Sequence, residues 1–278
     1  MTLLNGSQSV DRALSLLAMV GRHAGRGASL SALVDDSGLN KPTVRRLLLA
    51  LMRASLVEQD EESRRYYLGE EAYVLGTLAS QRFGLLELCL DSLGTLSRKS
   101  QDTSFLSVRR SMSSICVYRE EGTYPVRTHA LQVGFEHPLG IGAGSLAILA
   151  ALSDEDVEQT FVANMPVLLE RYPNLPPERI RSDVALTRAR GYSLNPGLIV
   201  ANSWGVGVAI RHADGRPAGA FSIAAIDSRM SETRQVELAG YLKQEAAKVE
   251  ERLAGMFAAR TGAARKAMGK SQTRRQAK

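Results

Sequence analysis

At 278 residues, with 44% hydrophobic and 23% charged residues, the chain has the composition of a globular protein long enough for two domains, which excludes a disordered or fibrous chain. No apolar run approaches the ~20 residues of a membrane helix and the first residues lack a signal-type apolar segment, so a cytoplasmic protein is expected. The net charge of +6 is uneven: residues 1–82 hold ten Lys/Arg against nine Asp/Glu, residues 83–259 hold eighteen against twenty, and residues 260–278 hold seven and none.

Val10, Ala13, Leu14, Leu17 and Val20 recur at helical spacing, which predicts an opening helix capped by Ser9 and inward-facing at those positions. A glycine-rich loop leads to a short helix over 30–37, capped by Ser29, facing inward through Leu30, Leu33 and Val34, and stopped at Gly38. Leu39 plugs the turn. Asn40 caps a third helix that buries Val44, Leu47, Leu48 and Leu51. The β-prone runs 55–59 and 65–68 flank a polar turn and predict a hairpin. Gly69 breaks it, helical periodicity resumes over 70–83 through Ala72, Leu75, Leu78 and Ala79, and Gly84 marks a domain boundary. Beyond it the spacing predicts a helix over 85–99, strands over 103–109, 114–120 and 126–131, and a glycine-rich turn at 140–144 leading into a helix over 145–152. Two further helices follow, one capped by Ser153 and one over 176–191, then strands at 204–211 and 218–226 around an Asp214-Gly215 turn. A long helix over 231–257 closes the domain. The chain ends in a basic tail, 260–278, too poor in apolar residues to fold and expected to be disordered.

Three helices and a hairpin within seventy residues, with a tight glycine turn between the second and third helices, form the layout of a winged helix-turn-helix. In that layout the third helix enters the major groove, and here it exposes Lys41, Thr43, Arg45 and Arg46. Arg and Lys pair with guanine O6 and N7, and Thr meets the thymine methyl. The hairpin tip offers Ser63, Arg64 and Arg65 to the DNA backbone or minor groove. The alternative is a small helical subdomain with a solvated basic face, which the near-neutral charge of residues 1–82 leaves open, and the order of elements favours DNA binding over it.

The opening run Ser9-Val10-Asp11-Arg12-Ala13-Leu14-Ser15-Leu16-Leu17 resembles the first helix of the IclR family of regulators, and Gly38-Leu39-Asn40-Lys41-Pro42-Thr43-Val44-Arg45-Arg46-Leu47-Leu48 is similar to its G-L-x-K-S-T-V-H-R-L-L motif. So are the hairpin end Arg65-Tyr66-Tyr67-Leu68-Gly69, the element 138–150, and the segments 188–193 and 214–217, in order and spacing over residues 7–255. The resemblance implies an α+β chain: a winged helix-turn-helix over 1–69, a linker helix over 70–84 and a GAF-like effector-binding domain over 85–259. It further implies a DNA operator, a small-molecule effector, and self-association into dimers or dimers of dimers, with repression or activation of transcription as the output. Departures are Pro42 for the usual Ser, Arg45 for His or Tyr, and Gly140 and Leu146 where His and Lys are usual, so operator and ligand are this chain's own.

Gly142-Ala143-Gly144-Ser145-Leu146-Ala147 also fits a loose dinucleotide fingerprint, but Pro138 before it argues against the strand that fingerprint needs. Two readings of the turn stay open: its glycines serve close packing, or the helix N-terminus holds a ligand carboxylate through Gly142, Ala143, Gly144 and Ser145. Asn195, Ser203, Gly205, Ser222 and Ala224 align with pocket-lining positions of the family, whereas alternation turns Trp204 to the opposite face. Arg127 and His129 share one face of the expected strand 126–131, either as an anion-binding pair or as a solvated surface. Cys89 and Cys116 give no disulfide framework or metal set. The four scattered histidines give no zinc spacing and no G-x-S-x-G elbow marks a nucleophile, so no cofactor, metal or catalytic group is expected. A metabolic enzyme with a basic helical appendage is the competing class, and it lacks a clustered acid, base or nucleophile.

Overall fold

The computed structural model describes residues 7–23, 25–128 and 130–276, and of 81–83 and 257–276 the backbone alone. The chain divides into two compact units, 1–84 and 85–278.

The first unit begins with α1 (Gln8–Arg22), α2 (Leu30–Ser37) and α3 (Lys41–Arg53), followed by the antiparallel hairpin of β1 (Val57–Gln59) and β2 (Tyr66–Leu68), and then α4 (Glu70–Phe83). Local chemistry sets the boundaries. Ser29 Oγ accepts from the Ala32 amide at 3.2 Å, Gly38 ends α2 at φ +64°, and Asn40 Oδ1 accepts from the Thr43 amide at 2.9 Å. Pro42 falls in the first turn of α3, where its missing N–H costs nothing. Leu16, Val20, Leu33, Val44, Leu47, Leu48, Leu51, Val57 and Tyr66 form the core. Two expectations for α1 need correction. The helix starts at Gln8, so Ser9 lies inside it and Ser7 holds the cap position. Its buried face runs through Leu16 and Val20, leaving Val10 and Leu14 more than half exposed. Helical spacing permits two neighbouring stripes here, and packing against α3 selects one.

The second unit contains α5 (Leu85–Ser100), β3 (Thr103–Arg110), β4 (Ser113–Glu120), β5 (Glu136–Pro138), α6 (Ala143–Ala150), α7 (Asp154–Arg171), α8 (Pro177–Arg190), β6 (Ser193–Pro196), β7 (Ser203–Arg211), β8 (Pro217–Ile226) and α9 (Glu232–Gln276). The strands make one antiparallel sheet in the order β5-β4-β3-β8-β7-β6. Strand alternation sorts its two faces. Leu106, Val206, Phe221, Ile223 and Ala225 pack with Cys89, Leu93, Leu96, Leu238 and Leu242 of α5 and α9. Apart from Phe105, the opposite face carries mostly small or polar residues, and α6 lies on it with α7 and α8 outside. Such close approach needs glycine on β7. A Cβ at Gly207 would come within 2.7 Å of the Ala143 carbonyl oxygen, and one at Gly205 within 3.1 Å of Ala143 Cβ.

The sequence expectation fails in four places. The described residues of 126–131 form no strand, and the edge of β4 is taken by β5, through pairs such as Ser114 with His137. β6 was not foreseen: Asn195 and Pro196 disfavour a strand, and the ladder with β7 imposes it at the sheet edge. α6 starts at Ala143 rather than Ser145. The closing helix continues to Gln276 through residues expected to be disordered, a stretch rich in the strong helix formers Ala, Arg and Lys.

Candidate functional site

On α3, Lys41, Arg45 and Arg46 are exposed and Thr43 is half-buried, while Val44, Leu47 and Leu48 face the core. The side chains of Lys41, Arg45 and Arg46 have no partner among the described residues. At the hairpin tip, Asp60 Oδ1 accepts from the amide of Ser63 at 2.7 Å and from its hydroxyl at 2.5 Å, and Arg64 adopts φ +56°. Those hydrogen bonds hold the Asp60 carboxyl below its ordinary pKa. Arg65 is less free than the sequence implied, because its Nη1 donates to the Gly27 carbonyl at 2.9 Å. Lys41, Ser63, Arg64 and Arg65 nonetheless border one surface groove, together with Ser29 and Ser31 at the start of α2.

In the second unit the first turn of α6 opens onto a cavity of about 570 Å³, counting its mouth. Gly142 precedes the helix at φ +87°, a conformation that favours glycine, and supplies no side-chain cap. All of α6 is buried, and Ser193 Oγ fixes its first turn by donating to the Ala143 carbonyl at 2.6 Å. Gly142, Ala143, Gly144, Ser145, Asn195, Ser203, Gly205, Ser222 and Ala224 all line this cavity, so nine of the residues singled out from the sequence meet at one place. Arg127 is not among the lining residues; it is exposed and pairs with Glu121 at 2.6 Å. His129 lies outside the described residues.

Four serines on four strands line the same space: Ser107 of β3, Ser114 of β4, Ser203 of β7 and Ser222 of β8. Each is at most 4% exposed, and none of their hydroxyls has a partner among the described residues. A Cβ on Gly144 would sit 3.2 Å from Ser107 Oγ and 3.3 Å from Ser222 Oγ, so these two hydroxyls converge on the helix start. Phe105, Phe135 and Trp204 supply aromatic wall. Trp204 thus borders the cavity as well as packing toward the α5–α9 layer, which alternation alone did not reveal. None of the described lining residues is a carboxylate, lysine or arginine. Burial pushes the Cys116 thiol up to about 12 and the His137 imidazole below its usual value, so both groups are neutral near pH 7. Donors here are amides and hydroxyls, suited to one small anion or polar group and to an apolar ring. Sequence reasoning missed Ser107, Ser114 and His137, since isolated serines on strands carry no motif.

A family model of the bacterial transcriptional regulator IclR C-terminal domain matches residues 77–251, and one of the IclR helix-turn-helix domain matches residues 9–61. The chain belongs to the IclR family. It is a DNA-binding transcription regulator with a C-terminal ligand-binding domain. The transcriptional repressor IclR of Escherichia coli K12 is 26% identical over 251 residues, covering 90% of this chain and 91% of the relative. The acetate operon repressor of Salmonella typhimurium LT2 is 26% identical over 244 residues, covering 87% and 88%. Among solved structures, the IclR transcriptional regulator of Alicyclobacillus acidocaldarius matches with TM-score 0.73 at 24% identity, over 89% of this chain and 99% of that one. An IclR homologue of Microbacterium hydrocarbonoxydans, complexed with 4-hydroxybenzoate, matches with TM-score 0.71 at 19% identity, over 89% and 100%. These two structures share the fold described above. Both of these curated relatives are repressors, and among the described residues no helix is long and apolar enough to cross a membrane.

Proposed function

We propose that this IclR-family protein controls a metabolic operon in response to a small carboxylate, aromatic acids foremost, bound between the first turn of α6 and the sheet. The observation that carries this reading is the uncapped, buried start of α6 facing serine hydroxyls that have no partner among the described residues. Unpaired helix amides carry partial positive charge and bind anions, and the flanking glycines let backbone approach the ligand closely. Aromatic side chains on the wall suit a ring, and the 4-hydroxybenzoate complex of the Microbacterium relative supports that class. On DNA, Lys41, Thr43, Arg45 and Arg46 meet base edges, and Ser63, Arg64 and Arg65 meet phosphates or the minor groove.

The same reading includes a second copy of the chain. Val10 and Leu14 on α1 and Tyr73, Leu75 and Leu78 on α4 expose apolar side chains, from 50% for Leu75 to 75% for Tyr73. Covering them with a second copy would bring two recognition helices to a two-fold operator. Sedimentation should give a dimer or larger species that Leu78→Glu weakens.

A thermal-shift screen of small carboxylates tests the ligand reading. At ~100 times its Kd a true ligand adds about 2.7 kcal/mol of stability to wild-type protein. Gly144→Val, which fills the space at Ser107 and Ser222, should abolish both that shift and the ligand's effect on DNA binding, with ligand-free DNA binding retained. A variant that responds like wild type places the ligand elsewhere. Selection from random duplexes should return one enriched sequence, and a featureless pool overturns the operator assignment.

A further inference from the structure

The wall of the α6 cavity holds one polar side chain for which the carboxylate reading has no use. His137 stands on the edge strand β5, opposite Ser114 of β4, and lines the cavity. Its Nδ1 lies 2.9 Å from the hydroxyl of Tyr172, the residue that follows α7. The ring is steadied further by edge contacts, with centroids 6.3 Å from Tyr172 and 6.5 Å from Phe135. Tyr172 therefore occupies one ring nitrogen, and Nε2 has no partner among the described residues. This half-buried, neutral imidazole leaves one nitrogen open on the cavity wall, where a ligand can meet it.

The chemistry of that ligand group follows from the ring. If Nδ1 accepts from Tyr172, Nε2 is a donor; if Nδ1 donates, Nε2 is an acceptor. A hydroxyl both donates and accepts, so it fits either tautomer, whereas a carbonyl oxygen fits only one. Position matters as well. β5 is two strands from β3, about 10 Å across the sheet, and Ser107 on β3 lies at the α6 end of the cavity. Cys116 lies on the strand between, and Phe105 and Phe135 also line the wall. With side chains reaching inward, a single six-membered ring with polar groups on opposite sides matches that span. A two- or three-carbon acid does not.

We propose that His137, positioned by Tyr172, recognises a ring hydroxyl of an aromatic carboxylate whose carboxyl group sits at the start of α6. The inference rests on the cavity being the effector site, as proposed above. It assigns His137 as a specificity-determining residue and makes the ligand class hydroxylated aromatic carboxylates rather than aromatic acids at large.

Calorimetric titration of the full chain with benzoate and its three monohydroxy isomers tests it. At least one hydroxy isomer, with the hydroxyl away from the carboxylate, should bind about tenfold more tightly than benzoate, the scale of one well-made hydrogen bond. In His137→Phe that affinity ratio should fall to about one, in His137→Gln part of it should return because the amide can meet a hydroxyl, and in Tyr172→Phe it should fall between. The His137 ring nitrogens, followed by 15N NMR, should shift with the hydroxylated isomer and not with benzoate. A ratio near one in wild type, or an undiminished ratio in His137→Phe, overturns the role of His137. The cavity reading survives that outcome if Gly144→Val still abolishes benzoate binding. If none of the four compounds binds, the aromatic class falls with the proposal, and the carboxylate screen decides the fate of the cavity separately. Tyr172→Phe, which removes a single oxygen, keeps the test valid should either His137 variant fold poorly.

Discussion

α3 and α6 start in opposite ways. The first amides of α3 are closed by the chain's own Asn40, and the helix shows solvent a polar face with the long side chains of Lys41, Arg45 and Arg46, which we propose carry its chemistry. α6 is buried on every side, begins after a glycine with no side chain to cap it, and presents backbone amides to a cavity walled by serines. A helix that reads DNA gains from a closed N-terminus, because flexible cations at the surface do the contacting and the scaffold must hold still. A helix that holds a small ligand gains from an open one, because rigid amides pointing into a cavity recognise an anion through their partial positive charge.

That contrast can be tested first through glycine. In the second unit, Gly207→Val drives a side chain into Ser193 Oγ, 2.6 Å from the new Cβ, and into the Ala143 carbonyl, which must lift α6 off β7. We expect a loss of about 3 kcal/mol in denaturant unfolding of that unit, at the upper end for overpacking, together with loss of ligand binding. In the first unit, Gly38→Ala has open space around its Cβ and pays only for the left-handed backbone, about 1–2 kcal/mol. Equal losses at the two sites would mean that α6 is not seated as tightly as its backbone contacts imply.

Side-chain recognition by α3 gives the next effect. Arg45→Ala or Arg46→Ala should weaken the specific duplex by about 1–3 kcal/mol at fixed salt, without moving the unfolding midpoint. Loss confined to non-specific DNA would show that these cations touch phosphates only. Asn40→Ala removes the closed cap and should cost about 1 kcal/mol, seen as faster amide exchange at Thr43 and Val44. An unchanged rate there would remove the distinction drawn between the two helix starts. The smallest effect on site choice is expected from deleting residues 260–278, which hold seven basic and no acidic residues. Deletion should lower non-specific affinity and flatten the salt dependence while the preferred sequence stays the same. A salt dependence unchanged by deletion would show that these residues never meet DNA.

The amino-acid sequence by itself determined the helix-turn-helix and most of the strands of the second unit. Caps at Ser29, Asn40 and Ser153, the stop at Gly38 and the spacing of Val44, Leu47, Leu48 and Leu51 act over three or four residues, so they are legible without knowing what packs where. The glycine turn before α6 was equally visible, but its two readings could not be separated from local pattern. Tertiary structure decided the rest. It placed Ser107, Ser114, Ser203 and Ser222 from four strands around one space, brought His137 to Tyr172, and set Arg127 against Glu121 outside the cavity. It also chose the inward stripe of α1 and made an edge strand of 136–138 in place of 126–131. A strand serine reads the same whether it faces water, backbone or a cavity. The difference arises only when strand order and the seat of α6 fix what lies opposite each hydroxyl, and those depend on contacts between residues as distant as Ser107 and Ala220.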